Sequence, residues 1–343
     1  DSTLFNPIVW PALATEYFVE VTDSNGCINN DSVTININQL PNVSAGADDT
    51  ICIGSAAQLI GTGAINYLWS PSDSLTAINI PFPLANPTVT MDYFLEGTDA
   101  NGCVNFDTVN IFVRSLPTID AGDDVEICVG TNTQLNASGG DSYLWTPTTG
   151  LTNPTIADPT ANPSDTTSYV AQGTDIHGCV NTDTVIVIVN SLPNADAGFN
   201  ANICENTSTQ LNATGGQTYL WSPSAFLDDD TLANPIASPD TSMLFTVVIT
   251  DSNNCVATDS VYIVVFMIHT VDDELICLGD SVQLNVFGEP AISFSWSPTA
   301  GLNDPNIINP MATPNSTTTY TVTATDSQGC IDEADITIEI SSD

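Results

Sequence analysis

Residues 117–192 read PTIDAGDDVEICVGTNTQLNASGGDSYLWTPTTGLTNPTIADPTANPSDTTSYVAQGTDIHGCVNTDTVIVIVNSL, and nearly every landmark in this stretch recurs at a fixed distance before and after it. Its tryptophan, Trp145, has counterparts at Trp69, Trp221 and Trp296, so the spacing is almost constant. A period this long, with a full set of strand and turn signals inside each copy, indicates an array of small domains rather than one large domain.

The register of these landmarks divides the chain into copies. The predicted copies are residues 1–40, 41–116, 117–192, 193–267 and 268–343. Asp1 aligns with Asn153, so the first segment corresponds to the C-terminal half of a copy. Half a sandwich cannot bury its own sheet, so we expect the natural chain to continue upstream. Leu-Pro steps mark the first three seams, whereas the last seam, near Met267, is more apolar and is predicted to bend differently.

The apolar residues inside each copy recur with a period of two, which is typical of strands. Val185, Val187 and Val189 form one face of such a segment, and turn residues recur roughly every 8–12 residues. We therefore expect about seven strands per copy, arranged as a β-sandwich of the immunoglobulin type. The tryptophan of the third strand is the predicted core anchor of each copy, at Trp69, Trp145, Trp221 and Trp296.

The charge of the chain limits its partners. With 41 acidic residues, one arginine and no lysine, the formal net charge is -40, which repels nucleic acids and anionic membrane surfaces. The content of apolar residues, 42%, is nevertheless high enough for folded cores. No apolar run approaches the roughly 20 residues that span a bilayer. We expect no nucleic-acid partner, no membrane span in this segment and no signal peptide within it.

Three motifs of the quoted copy resemble a known family. They are Ile127-Cys128-x-Gly130, Tyr143-x-Trp145-Thr-Pro and Thr174-Asp175-x-x-Gly178-Cys179, and together they recur over the whole chain. They resemble the PKD-like immunoglobulin-fold repeats of large Bacteroidota surface proteins, including gliding-associated adhesins exported by type IX secretion. The resemblance implies an all-β tandem array of PKD-like sandwiches, an extended rod located outside the cell. The usual Trp-Asp-Phe-Gly-Asp-Gly core of such domains is absent, so nothing attributed to that motif carries over.

Catalytic patterns are not distinguished in the sequence. His177 and His269 lie far apart in non-equivalent places, and neither a Cys-x-x-Cys nor a Ser-His-Asp arrangement stands out. We therefore predict that the chain is not an enzyme. The favoured interpretation is a structural segment of a surface adhesin, stalk or filament, whose partners are further repeats of the same chain, surface polysaccharide, the substratum or other cells. The alternative is a set of carbohydrate- or protein-binding modules appended to a secreted enzyme.

Variation between copies separates these two interpretations. A ligand site needs exposed aromatic residues kept in one place, and the aromatics predicted to be exposed occupy different positions in different copies. These aromatics are Trp10, Phe82, Phe106 and Phe226. Their scatter favours the stalk.

Acidic residues gather where the copies are expected to meet. Carboxylates and turn carbonyls can converge on Ca²⁺, which would also relieve repulsion between acidic neighbours. The alternative is that they are solvated turn residues, since Asp is favoured in turns for backbone reasons. Phe199-Asn200 replaces the usual Asp pair in one copy, which weakens the calcium hypothesis. The candidate ligands are Asp48, Asp49, Asp99, Asp123, Asp124, Asp175, Asp251, Asp272, Asp273 and Asp326.

The nine cysteines recur once before a tight turn and once at the last hairpin of each complete copy, and the first segment has only the hairpin cysteine; this recurrence is typical of an exported disulfide framework. Two pairings stay open. The first joins cysteines within a copy: Cys52–Cys103, Cys128–Cys179, Cys204–Cys255 and Cys277–Cys330. Strand directions place such pairs at opposite ends of a sandwich, which argues against this pairing. A second pairing, between neighbouring copies, is therefore weighed equally with it: Cys52–Cys179, Cys128–Cys255 and Cys204–Cys330. Cys27 has its partner outside the segment in either scheme, and the second adds Cys103 and Cys277.

A further motif, Asp-[Ser/Thr]-aliphatic, resembles the Bacteroidota O-glycosylation acceptor. Alternation along the strand places the hydroxyl residue outward wherever the following valine points inward. A compositional origin is the alternative, because Asp, Ser and Thr are abundant in this chain. The predicted acceptors of this group are Ser32, Thr108, Thr184 and Ser260.

Overall fold

The computed structural model describes residues 3–341. It begins with an antiparallel hairpin, β1 (Thr15–Thr22) and β2 (Ile28–Ile35). Val19 and Val33 of this hairpin are 53% and 58% exposed, because no second sheet covers them among the described residues. Residues 3–40 therefore have strand structure without a core, and the inward position predicted for the valine after Ser32 is not realised there.

The three following copies have the same six strands. Residues 41–116 contain β3 (Asp49–Cys52), β4 (Ala57–Gln58), β5 (Asn66–Ser70), β6 (Leu84–Ala85), β7 (Met91–Thr98) and β8 (Val104–Arg114). Residues 117–192 contain β9 (Val125–Cys128), β10 (Thr133–Gln134), β11 (Ser142–Thr146), β12 (Thr160–Ala161), β13 (Thr167–Thr174) and β14 (Val180–Asn190). Residues 193–267 contain β15 (Ala201–Cys204), β16 (Thr209–Gln210), β17 (Thr218–Ser222), β18 (Ile236–Ala237), β19 (Met243–Thr250) and β20 (Val256–Phe266), with a 3-10 turn at Ser224–Phe226.

The last copy has two additional strands. They form a short antiparallel ribbon, β21 (Ile268–Thr270) with β24 (Val286–Gly288), at the entrance of the copy. Its other strands are β22 (Glu274–Cys277), β23 (Val282–Gln283), β25 (Ser293–Ser297), β26 (Met311–Ala312), β27 (Thr318–Thr325) and β28 (Ile331–Ser341).

Each complete copy is built on one four-stranded sheet. In residues 41–116 the order is β3-β8-β7-β5, with β3 parallel to the last strand and the other pairs antiparallel, and the other three complete copies repeat this order. A two-residue ladder such as β4–β6 opposes the sheet. The predicted fold class, an all-β array of immunoglobulin-like sandwiches, is confirmed.

Three of the complete copies have six strands rather than the predicted seven, because the second sheet is reduced to short ladders. The N–H of Leu59 donates to the carbonyl of Pro83 (3.0 Å), and that of Gly61 donates to the carbonyl of Pro81 (2.7 Å). Proline has no N–H to return a bond, so the β4–β6 ladder cannot continue regularly beyond Gln58. The prolines are visible in the sequence, but their position directly beside the paired residues of β4 and β6 is not.

Trp69, Trp145, Trp221 and Trp296 lie at the centres of the four cores and are at most 1% exposed. Trp145 Nε1 donates to the carbonyl of Ile156 at 3.0 Å, which satisfies the polar edge of a buried indole, and the other three tryptophans make the equivalent bond. Buried Tyr169 donates its hydroxyl to the carbonyl of Thr149 (2.9 Å). Phe245 occupies the corresponding position in residues 193–267, where this hydrogen bond has no counterpart.

The accessible surface of the chain is larger than that of a compact protein of the same mass. Its accessible area is 19832 Å², whereas a compact monomer of the same mass would expose about 13,400 Å². Four and a half separate domains of this size would together expose about 20,000 Å². Neighbouring copies therefore bury little area against each other, as an extended rod of small domains requires.

Candidate functional site at the seams between copies

We use the term seam for the place where the last strand of one copy ends and the next copy begins. Cys52 ends β3 and pairs with Arg114, the final residue of β8, so this cysteine lies at the exit end of its copy. Ile53 N–H donates to the carbonyl of Arg114 (2.8 Å), and Gly54, with φ +87°, turns the chain back into the domain. Positive φ is why the Ile-Cys-x-Gly motif ends on glycine.

The other seam cysteine lies in the hairpin that opens the last strand. Asp175 Oδ1 accepts hydrogen bonds from the backbone N–H groups of His177 and Cys179, both at 2.8 Å. Gly178 adopts φ +83° to close this turn, and β14 starts at Val180. The Thr-Asp-x-x-Gly-Cys motif thus fixes its cysteine at the entrance end of the copy, facing the previous one.

Disulfide bonds join the two kinds of cysteine across each seam. Three bonds are present, and each spans a Cα–Cα distance of 5.2–5.6 Å: Cys52–Cys179, Cys128–Cys255 and Cys204–Cys330. Of the two pairings that the sequence leaves open, the structure has the one between neighbours. The within-copy bonds Cys52–Cys103, Cys128–Cys179, Cys204–Cys255 and Cys277–Cys330 are not formed.

The length of the last strand explains why the within-copy pairing fails. Cys128 lies opposite Asn190, at the end of β14, whereas Cys179 directly precedes the start of that strand. Eleven residues in strand conformation separate the two ends by about 36 Å, far beyond the roughly 7 Å that a disulfide tolerates.

Three cysteines in the described chain have no disulfide partner. Cys27 and Cys277 are exposed and Cys103 is half-buried. By contrast, Cys179 and Cys255 are fully buried and Cys330 is 4% exposed. The unpaired cysteines occupy the same two structural positions as the paired ones, so they differ only in having no neighbouring cysteine within reach.

The acidic residues that open the copies act as hydrogen-bond acceptors. Asp48 Oδ1 accepts the N–H of Asn110 (2.8 Å), one residue before the parallel pairing of β3 with β8 begins. Asp124 and Asp273 make the same contact in their copies. Asn200 Oδ1 does so in residues 193–267, with the N–H of Tyr262 at 2.8 Å. A neutral amide oxygen serves there, so this position needs an acceptor rather than a charge.

The hairpin aspartates have an equally local role. Asp99, Asp251 and Asp326 each accept two backbone N–H groups of their own turn, as Asp175 does. Asp49 Oδ1 accepts the N–H of the next residue (2.7 Å). No group of three or more His, Cys, Asp or Glu side chains suited to a metal occurs within residues 3–341. Calcium at the seams, with Asp123 and Asp272 as further ligands, stays a prediction.

The last seam is built differently from the others. Phe266 and Ile268, which flank Met267, are 3% and 7% exposed and belong to the core of the last copy. Ser242 Oγ donates to Glu289 Oε1 across this seam (3.2 Å). Leu192, at the preceding seam, is 45% exposed. The apolar residues that replace Leu-Pro therefore make this joint part of the core of the last copy.

The candidate glycan acceptors lie on the outer face of the last strands. Thr108, Thr184 and Ser260 are exposed, and each follows an aspartate and precedes a valine that is at most 2% exposed. Ser32 is exposed on the first hairpin and donates its hydroxyl to Glu16 Oε1 at 2.8 Å. These hydroxyls are sterically accessible from solvent. Their glycosylation stays a prediction.

Three phenylalanines share the outer face of the sheet in residues 41–116. Phe94, Phe106 and Phe112 are 52%, 63% and 44% exposed on the outer surface of the sheet in residues 41–116. The guanidinium of Arg114, the only arginine of the chain, lies 5.2 Å from the ring centroid of Phe112.

Phe226, expected to be exposed, instead packs partly against the core of its copy, so that prediction was wrong.

Comparison with known proteins gives structural neighbours but no family. No family model matches the chain, and neither does any curated protein. Sidekick-1 immunoglobulin domains 1–5 align over 92% of this chain and 84% of that one, with 14% identity and a TM-score of 0.26. The human desmocollin-1 ectodomain aligns over 95% and 85%, with 10% identity and a TM-score of 0.26. The I9–I11 tandem of titin aligns over 65% and 100%, with 13% identity and a TM-score of 0.26.

At this level of similarity, the immunoglobulin-like architecture rests on the strand pairing of the chain itself. Within residues 3–341, none of the helical structure is long and apolar enough to cross a bilayer.

Proposed function

We propose that this chain is a structural repeat segment of a long extracellular surface adhesin, stalk or filament that gives reach and stiffness for adhesion or gliding. The observation that carries the proposal is the disulfide across successive seams. At each of these seams, one cysteine ends the first strand of its copy and the other lies in the last hairpin of the next copy. The role of both segments is therefore to link neighbouring copies rather than to form a ligand site.

The disulfides also support a location outside the cell. Regular disulfides form and persist in oxidising compartments, and they are rare where thiol reductants are abundant. The resemblance to Bacteroidota surface repeats, noted from the motifs, favours the same location. A net charge of -40 suits a role in which separate rods must not associate through nonspecific contacts.

The mechanical side of the proposal follows from the seams. Short linkers, which contain proline at the first two of these seams, limit bending, and each disulfide fixes a second point of contact beside the linker. Two attachments per seam resist rotation better than one. In this role the partners are further repeats of the same chain and, at the adhesive contact, surface polysaccharide, the substratum or other cells.

Small-angle X-ray scattering tests the rod. Four and a half copies of roughly 40 Å each, end to end, give a radius of gyration of about 50 Å. A compact protein of 343 residues would give about 20 Å. A measured value near that of the compact protein would contradict an extended stalk.

Antibody labelling tests the location. Antibodies raised against the purified chain should label intact producing cells without permeabilisation and, as monovalent fragments, should reduce attachment to the substratum. Labelling only after permeabilisation would contradict a surface role.

The aromatic face of residues 41–116 supports the alternative, a carbohydrate- or protein-binding module appended to a secreted enzyme. Three exposed phenylalanines on one sheet exceed the scatter of single apolar residues usual on protein surfaces. Phe106→Ser with Phe94→Ser should abolish binding to polysaccharide or protein ligands if this module binds them. The matched change Leu144→Ser with Leu220→Ser, on the outer faces of other copies, should leave such binding intact.

A further inference from the structure

The disulfides create a covalent path much shorter than the polypeptide. Each bond joins residues 126 or 127 positions apart, so it bypasses most of two copies. Starting from the N-terminal side, the path enters Cys52, crosses to Cys179, follows the chain to Cys204 and crosses again to Cys330. Only the short segment of backbone from Cys179 to Cys204 lies between the two crossings.

This connecting segment is already nearly extended in the folded protein. After Cys179 the chain runs the full length of β14, which is 11 residues or about 36 Å. It then enters the next copy and runs beside its last strand: Ala197 N–H bonds to Asp259, and Cys204 lies opposite Phe266. The folded path is therefore about 70 Å long, or two strand lengths. Full extension of the same segment gives at most about 90 Å.

Unfolding adds much less length to this path than it would add to a tandem array without disulfides. Without disulfides, unfolding one whole copy would free about 270 Å of chain and lose about 36 Å of folded length. With them, complete unfolding of residues 117–192 and 193–267 lengthens the path between Cys52 and Cys330 by only about 20 Å.

We propose that the oxidised chain is a tether of fixed length, in which the disulfides rather than the folded domains carry tension. The folded copies hold the spacing and orientation of the cysteines, and the covalent path carries the load. This function goes beyond the structural role proposed above, because it depends only on the bond pattern and holds wherever the oxidised chain is located.

The Cys128–Cys255 bond belongs to a second path that is offset by one copy. It continues along the backbone from Cys255 to Cys277 and, in the other direction, from Cys128 back to Cys103. This second path does not shorten the first one. Removing a disulfide of the first path should therefore lengthen the shortest covalent route between the termini, whereas removing the Cys128–Cys255 bond should not. This difference tests the proposal.

Single-molecule pulling between tags at the two termini of the complete chain measures the path directly. In the oxidised wild type, 89 backbone steps lie on the shortest path between the termini, so the contour length should be about 320 Å. After dithiothreitol treatment all 342 steps contribute, and the contour length should rise to about 1230 Å.

Two matched double variants separate a load-bearing bond from a bond that only stabilises folding. Cys52→Ala with Cys179→Ala breaks the first path, and the shortest remaining route has 191 steps, or about 690 Å. Cys128→Ala with Cys255→Ala removes one disulfide of the same span but leaves the route of 89 steps intact, so its contour length should stay at about 320 Å.

Several outcomes would overturn the proposal. Within-copy pairing would give 136 steps, or about 490 Å, in the oxidised wild type. A contour length equal to that of the fully reduced chain before any reductant is added, or more than three reactive thiols in the unfolded oxidised protein, would show that the bonds do not form. Equal lengthening in both double variants would show that neither bond defines the path.

Discussion

Replacing Trp145 with alanine should unfold one copy and leave its neighbours folded. The indole is fully buried and donates a 3.0 Å hydrogen bond to the carbonyl of Ile156. Truncation of a buried tryptophan costs about 3–5 kcal/mol, and the orphaned carbonyl adds about 1 kcal/mol. A domain of this size has a total stability of about 4–11 kcal/mol. The substitution therefore removes much or all of the stability of residues 117–192.

The effect should be confined to that copy because the cores are separate. The core around Trp145 draws only on residues 119–189, and the adjacent cores draw on residues 43–113 and 195–267. Hydrogen exchange followed by mass spectrometry resolves the copies as separate peptides. A loss of about 4 kcal/mol corresponds to a roughly thousandfold loss of amide protection in residues 117–192.

Tyr169→Phe provides the control for this experiment. Its hydroxyl makes one hydrogen bond to the carbonyl of Thr149, and Phe245 shows that a copy folds without it. The expected cost is about 1 kcal/mol, less than a tenfold change in protection. If Trp145→Ala lowers protection equally in residues 41–116 and 193–267, the copies fold as one cooperative unit and the reasoning from separate cores is refuted.

Three further predictions concern acid stability, turn geometry and modification. The backbone N–H of Ala121, followed by that of Thr184, lowers the pKa of Asp183, so its stabilising contribution exists above the unfolded pKa of about 3.9 and is lost as pH falls through the folded pKa. The melting temperature of wild type should thus exceed that of Asp183→Asn near pH 6, and the difference should shrink as the pH falls below the unfolded pKa; a constant difference would contradict this. Gly139→Ala should strongly lower the free energy of unfolding, because the added Cβ would lie 1.8 Å from the carbonyl oxygen of Thr118. At Gly178 the added Cβ meets open space, so Gly178→Ala should cost only about 1–2 kcal/mol for the positive φ. Chemical denaturation measures both free energies. The intact mass of native material should exceed that of the bare polypeptide through sugars at the outward hydroxyls, and an equal mass would exclude modification at Ser32, Thr108, Thr184 and Ser260.

The repeat and its strands were predictable because they depend on local signals. Alternation along Val185 and Val187 depends on the two-residue period of a strand, and it correctly indicates the buried face. The relation between Cys128 and Cys179 was only partly within reach. Strand direction places the two cysteines at opposite ends of a copy, but the distance between them depends on the length of the last strand, which the sequence pattern does not fix. The 11 residues of β14 supply that length and exclude the within-copy bond.

Other features depended on contacts that sequence patterns do not encode. The equivalence of Asn200 with the aspartates of the other copies becomes clear only when its oxygen is seen to accept the N–H of Tyr262. In the same way, the core position of Phe266 depends on the ribbon β21–β24, which the other copies lack. From the sequence, Asn200 was only a departure that weakened the calcium hypothesis, and the last seam was expected only to bend differently.

The spacing of the seam cysteines has a consequence for the order of events during maturation. As a chain emerges from its N-terminal side, Cys128 meets Cys179 long before its native partner Cys255, which lies 127 residues away. An unfolded copy would close the shorter loop first, because loop-closure entropy favours it. Folding separates these two thiols by about 36 Å and removes the premature partner. Folding of each copy before oxidation therefore favours the native pairing, because it keeps Cys128 apart from Cys179 until the following copy brings Cys255 within reach.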